Sequence, residues 1–346
     1  MKKISLLILT LIISLNPLFS QFGKNKVQYR KFDWKYISST NFDIYFYDDV
    51  KYLAEFAARH GEAALKSIER TLNYKLNKRF AIIIYNSQNE FQQTNVISSY
   101  LPEGIGGVTE LFKNRVVVPF QGDYSQFRHV IHHELVHAVM NDLFYGGTLQ
   151  SALSSNSVTE IPIWVSEGLA EWESIGGLDA QTDMFMRDVT LSENLVPLQY
   201  LNNYYAYRGG QSFLWYVADK YGEQRVGDFI NRLYITGDIR STFQSTFNMN
   251  LDDFSDQWQR DLKRYYFPDI DKFEHPEDFA IRITNHKKER NFYNSSPAVS
   301  PSGTKLAFIS DRDGLYGIFI QDLTKKEEPR KLVSSLRRTD FEELNI

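Results

Sequence analysis

The 346-residue sequence contains no cysteine. That excludes a disulfide scaffold, a thiol nucleophile, a thiolate metal site and a lipid-modified N-terminal cysteine, so any transition metal must sit on imidazole and carboxylate. A basic excess is missing too. Thirty-nine Lys and Arg against 43 Asp and Glu leave a formal charge of −4, which excludes a generally basic nucleic-acid binder. No stretch reaches the roughly 20 apolar residues that cross a bilayer. The run Leu6–Leu15 is short, follows Lys2 and Lys3, and precedes Pro17, Ser20 and Gln21. These are the parts of a secretory signal peptide, so residues 1–20 are expected to be removed on export to the periplasm, cell surface or medium, leaving no membrane span. An uncleaved anchor is the alternative, because Leu18 is large for its position before the cut. Apolar bulk, by contrast, is plentiful: 42% hydrophobic and 15% aromatic residues exclude a disordered chain.

The length suits two domains, and the pattern changes near Phe267-Pro268. The expected partition is a linker at 21–38, a main domain at 39–267, a second linker at 268–278 and a β-rich segment at 279–346. Within the main domain, Asn41–Tyr47 alternates as a strand, and Val50–Leu72 carries apolar residues at helical spacing. Phe80–Tyr85 is a continuous apolar run of strand length, suited to burial on both faces. Gly104, Gly106 and Gly107 mark a turn before the β-type run Arg115–Phe120, and helical patterning resumes at Ser125. Sheet first and helices later predict an α+β fold.

In the helical segment stands His133-Glu134-Leu135-Val136-His137. Residues four apart share a helix face, so both imidazoles can reach one cation. Glu134, beside the first of them, can take the proton of a water that the metal activates. A catalytic Zn²⁺ uses three protein ligands and one open position. Six residues beyond His137 stands Leu143, with Met140 at the third, so the third ligand is not a metzincin histidine. His275 and His286 lie far along the chain, and His129 stands two helical turns, ~12 Å, from His137. A carboxylate is therefore expected. Ile161–Trp172 supplies Glu167 and Glu171 on one face of an apolar helix, with Pro162 at its first turn. A metal would partner Glu167 and an imidazole N–H Glu171, whereas a solvent-facing acidic stripe is the plainer alternative.

H-E-L-V-H followed by P-I-W-V-S-E-G-L-A-E-W resembles the gluzincin metallopeptidases, the peptidase MA-like group related to thermolysin and the aminopeptidases. The resemblance implies a zincin-like domain with a mixed sheet, active-site helices and a C-terminal helical subdomain. It implies His133, His137 and Glu167 as zinc ligands, Glu134 as general base and Glu171 as the acid holding His133. The separation from His137 to Glu167 is longer than in well-known members, through Gly146-Gly147 and the Ser-rich stretch to Ser157. Tyr207-Arg208-Gly209-Gly210 resembles the aminopeptidase Y-x-x-G segment, which implies Tyr207 as oxyanion donor with Tyr205 in reserve. A tyrosine that merely packs is the alternative. By the same resemblance Val116–Val118 is the edge strand along which a peptide lies. The absence of a G-x-M-E-N motif tilts the reading towards an endopeptidase. The stretches Phe91–Val96 and Gly104–Glu110 resemble members that carry a C-terminal β-propeller.

Ser296–Gly314 resembles one TolB-like propeller repeat, with Ser302 in place of the usual aspartate, and Tyr316–Leu323 reads as the next strand. Lys325–Arg338 reads as a solvated loop. One blade alone exposes its strand edges, so the chain is expected to be a piece of a longer protein, with docking of the blade on the peptidase domain as the alternative. The expected partners are a peptide or protein substrate, with envelope proteins or polysaccharide at the propeller. Rival readings are a catalytically silent envelope binding protein and a structural scaffold. A silent protein has no physical need of Glu134 beside the metal.

Overall fold

The computed structural model describes residues 26, 28–97, 101, 104–110, 115–146, 160–270, 272–274, 276–291, 293–325 and 327–334. The expected signal peptide, Gly147 and the Ser-rich stretch to Ser157 lie outside them. The chain divides into two compact units, Met1–Pro268 and Asp269–Ile346. Among the described residues no helix is long and apolar enough to cross a membrane.

The first unit opens with strands β1 (Lys35–Ser38) and β2 (Phe42–Phe46), helix α1 (Lys51–Leu72), β3 (Phe80–Tyr85) and the short α2 (Gln88–Phe91). Then come β4 (Val108–Thr109), β5 (Arg115–Pro119), α3 (Tyr124–Tyr145), α4 (Ile163–Ile175) and α5 (Ala180–Leu191). Helices α6 (Asn203–Tyr221), α7 (Gln224–Thr236), α8 (Ile239–Phe247) and α9 (Leu251–Tyr266) complete it.

The sheet order is β1-β2-β3-β5-β4, with β2, β3 and β5 parallel and the two outer strands antiparallel to them. The fold is thus a mixed sheet followed by many helices. The apolar run of β3 is explained by its place between two parallel neighbours, where both faces are covered. Two expectations are corrected. Residues 35–38, read as linker, form β1, because they pair along β2 while Phe32 just before them is buried under the sheet. Val116–Val118 is not an edge: β5 is internal, fully buried at these three valines, and the two-residue β4 takes the edge through Val108↔Val117 and Thr109↔Val116. A strand that short leaves no period to read.

Helix α3 is the axis of the unit. Asp123 caps it by accepting from the Ser125 and Gln126 amides at 2.6 and 3.1 Å, and Gly146 ends it in the left-handed region. Its residues are apolar on nearly every side, because it packs on α1, β4, β5 and α4 at once. Gly168 of α4 and Gly210 of α6 let those two helices cross almost backbone to backbone. A Cβ on Gly210 would lie 2.1 Å from the Trp164 carbonyl oxygen, and one on Gly168 2.4 Å from the Gly210 carbonyl carbon.

The second unit holds α10 (Pro276–Phe279), α11 (His286–Glu289) and the antiparallel sheet β6 (Asn294–Val299), β7 (Lys305–Ser310), β8 (Gly317–Asp322) and β9 (Arg330–Ser334) in sequential order. The Ser300–Gly303 turn joins the first two strands and Asp311–Gly314 the next two, each closed by a 2.8 Å backbone hydrogen bond onto its glycine amide. Leu306, Phe308 and Phe319 form its small core, and Arg312 lies over both phenyl rings. Residues 330–334, read as loop, are a strand, because Val333 pairs with Ile318 across a charge-rich run whose partner is not local.

Candidate active site

Four-residue spacing on α3 brings His133 and His137 to one face, with their Nε2 atoms 3.2 Å apart. The tight α4–α6 crossing carries Glu167 into the same place, with Oε2 at 3.3 Å from His133 Nε2 and 3.3 Å from His137 Nε2. The three atoms form a nearly equilateral triangle. Tetrahedral nitrogen and oxygen ligands at about 2.0–2.1 Å from zinc stand about 3.3–3.4 Å from each other. Glu167 Oε2 is buried and no N–H meets it with hydrogen-bonding geometry. An orphaned carboxylate oxygen flanked by two ring nitrogens is costly unless a cation completes it. The residues therefore fit a tetrahedral divalent metal.

The far side of each ring is also held. His133 Nδ1 faces the Glu171 carboxylate as a charge contact, with Oε1 at 3.1 Å but without hydrogen-bond alignment, and His137 Nδ1 is hydrogen-bonded to Ser166 Oγ at 3.1 Å. The serine bond fixes the His137 ring plane, the Glu171 charge favours an N–H at His133 Nδ1, and both arrangements leave Nε2 for a metal. Glu171 Oε2 accepts from Arg208 Nη1 at 2.9 Å, and the same guanidinium reaches Thr182 Oγ1 at 3.1 Å. Gln211 joins α6 to the turn that follows α4 by donating to the Gly177 carbonyl at 2.8 Å. The His133 imidazole is thereby tied through Glu171 and Arg208 to α5 and α6. His129 shares the acid, with Nε2 at 3.6 Å from Glu171 Oε1 and Nδ1 bonded to Ser174.

Electrostatics point the same way. Burial works against a charged His133, but Glu167 and Glu171 outweigh it and raise the imidazole to about 10. Burial likewise opposes ionisation of Glu167, yet His133 and His137 hold it down to about 2, and Glu171 is lowered by His129 and His133 against the same penalty. The two carboxylates stay ionised and favour positive charge between them, the condition a divalent cation meets.

These groups line a cleft of about 710 Å³ with Gly104–Thr109, Tyr204, Tyr207 and Arg208. Glu134 is buried, 7% exposed. Thr109 Oγ1 lies 2.7 Å from its Oε2, and Gly107 lies flat against it. Tyr207 runs nearly parallel to the His133 ring, with centroids 6.3 Å apart, and burial, then the Glu167 and Glu134 charges, keep its phenol protonated. Tyr205 instead packs on Phe185 at 5.0 Å.

The structure thus brings Glu134, His133, His137, Glu167, Glu171 and Tyr207 to one cleft. Sequence reasoning passed over Ser166, Arg208, Gly107 and Thr109. Only Arg208 left a trace, as a charge beside two glycines in a helix, where burial demands a partner.

Two comparisons bear on this geometry. No curated protein matches the chain. The family model of the Peptidase MA superfamily matches residues 60–264, more than half of the chain, and spans α3, α4 and α6 with all six of these residues. The chain therefore belongs to the Peptidase MA superfamily.

Proposed function

We propose that the protein is an exported zinc-dependent endopeptidase. The observation that carries the reading is the buried triangle of His133 Nε2, His137 Nε2 and Glu167 Oε2, with edges of 3.2–3.3 Å. These three residues would hold the ion. When bound, zinc lowers the pKa of water to about 7 and polarises a carbonyl oxygen.

The chain's own residues supply the rest. Glu134 takes a proton on a carboxylate oxygen and returns it to the leaving nitrogen. Tyr207, neutral in the cleft, donates its phenolic hydrogen where negative charge develops on the substrate oxygen. Glu171 and Ser166 keep the rings in place. Among the described residues of the cleft, Thr109 holds Glu134, Arg208 and His133 flank Glu171, and Glu167 would be taken by the ion. None of these carboxylates is left to grip an α-amine, which favours internal bonds over N-terminal ones.

The second unit reads as one propeller blade, supported by its four-strand meander and glycine-ended turns. Envelope proteins or polysaccharide are its proposed partners. The N-terminal Lys-flanked apolar run supports export, and N-terminal sequencing of protein recovered from cell fractions tests it.

The test of the main reading is metal analysis together with hydrolysis of an unstructured polypeptide. Wild type is expected to carry about one zinc and cleave internally. Glu134→Gln should keep the metal and lose about 100-fold or more in rate, and Glu167→Ala should lose the metal. A wild type without zinc, or a Glu134→Gln variant cleaving at the wild-type rate, defeats the proposal.

A further inference from the structure

A glutamate side chain has three rotatable bonds, and fixing it costs up to about 2 kcal/mol of rotamer freedom. As a base it works only if that freedom has been removed beforehand. Two residues of the sheet edge meet Glu134. Thr109 of β4 places Oγ1 at 2.7 Å from Glu134 Oε2 and at 2.9 Å from the Glu134 carbonyl oxygen. Both neighbours are acceptors, so the single hydroxyl hydrogen goes to one or is shared, and the charged oxygen is the stronger acceptor. Gly107 closes the other side. A Cβ there would lie 2.8 Å from Glu134 Cγ, 2.9 Å from Oε1 and 3.0 Å from Cδ. A side chain fits there only if the Glu134 carboxylate moves. Its φ is not in the left-handed region, so closeness to Glu134, and not backbone conformation, requires glycine here.

We infer that Gly107 and Thr109 are positioning residues that clamp the Glu134 carboxylate: the bare Cα of one sets its plane, and the hydroxyl of the other holds Oε2 and leaves Oε1 to take the proton. The consequence for rate rests on the peptidase reading. The clamp itself rests only on the contacts above. It also explains why β4 exists as a two-residue strand. Pairing of Val108 and Thr109 with β5 fixes the hydroxyl relative to α3, which packs on both strands.

The test uses the full chain and three variants. Thr109→Val removes the hydroxyl without changing shape, Thr109→Ser returns it, and Gly107→Ala keeps it while pushing the carboxylate away. Thr109→Val and Gly107→Ala should each lower kcat about 100-fold, with KM and zinc affinity close to wild type. Thr109→Ser should recover most of the loss. Crystal structures of Thr109→Val and Gly107→Ala should show the Glu134 carboxylate rotated. An unmoved Glu134 in both structures overturns the inference, as does a serine variant no better than valine, or a loss that follows zinc content. If wild type cleaves nothing, the peptidase reading has failed on its own, and the position of Glu134 in the two crystal structures alone decides the clamp.

Discussion

Replacing Gly210 by alanine puts one methyl group where the α4 and α6 backbones meet. The new Cβ would stand 2.1 Å from the Trp164 carbonyl oxygen, against the 3.4 Å at which ordinary contact begins. Relief requires the helices to part by ~1.3 Å, because backbone, unlike the end of a flexible side chain, cannot turn aside. Overpacking of this kind costs about 1–3 kcal/mol, and a backbone clash belongs at the upper end. Alanine's better helix propensity returns about 1 kcal/mol, leaving a net loss near 2 kcal/mol. The effect on the site should be larger. Glu167 sits beside Gly168 on the displaced helix, and metal–ligand distances tolerate only about ±0.2 Å. Chelator competition should show zinc affinity down by about 100-fold or more. Thermal unfolding gives the stability change, and Gly104→Ala, whose Cβ meets nothing within 4 Å, serves as control. A Gly210→Ala protein that melts and binds zinc as wild type would refute the claim that this crossing sets the third ligand.

Two more outcomes follow from the same contacts. Ser166→Ala removes the 3.1 Å partner of His137 Nδ1 and should weaken zinc about tenfold in chelator titration while leaving the melting temperature within a few degrees. The buried phenols of Tyr47 and Tyr266 are pushed up by burial first and then by Glu90 and Asp183. The unfolded chain releases these protons near the ordinary value of 10 while the native state keeps them. Stability is therefore fully present below pH 10 and falls as pH rises, by about 1.4 kcal/mol per unit for each phenol. Denaturant titrations between pH 8 and 11.5 should show this slope, and Tyr266→Phe should make it shallower.

Much of the site is written in local spacing. His133, Glu134 and His137 are placed by helix geometry alone, since 3.6 residues per turn puts i and i+4 together wherever the helix lies. Glu167 and Glu171 share a face for the same reason, and the strands Phe42–Phe46 and Phe80–Tyr85 follow from alternation and from a run covered on both sides. None of this says that Glu167 meets the histidines thirty residues away. That is decided by Gly168 against Gly210, a contact between helices with no sequence period linking them. The edge of the sheet escaped for a similar reason. β5 is apolar enough for either place, and only the pairing of Val108 and Thr109 outside it makes it internal. Thr109, Ser166 and Arg208 are ordinary residues along the chain, and their meaning lies in the atoms they face across the fold. Sequence alone determined which groups can hold a metal and move a proton, because those are properties of residue types at short range. Tertiary structure decided which of them converge and which neighbours hold them still, because convergence depends on long-range packing in which each position is fixed by all the others.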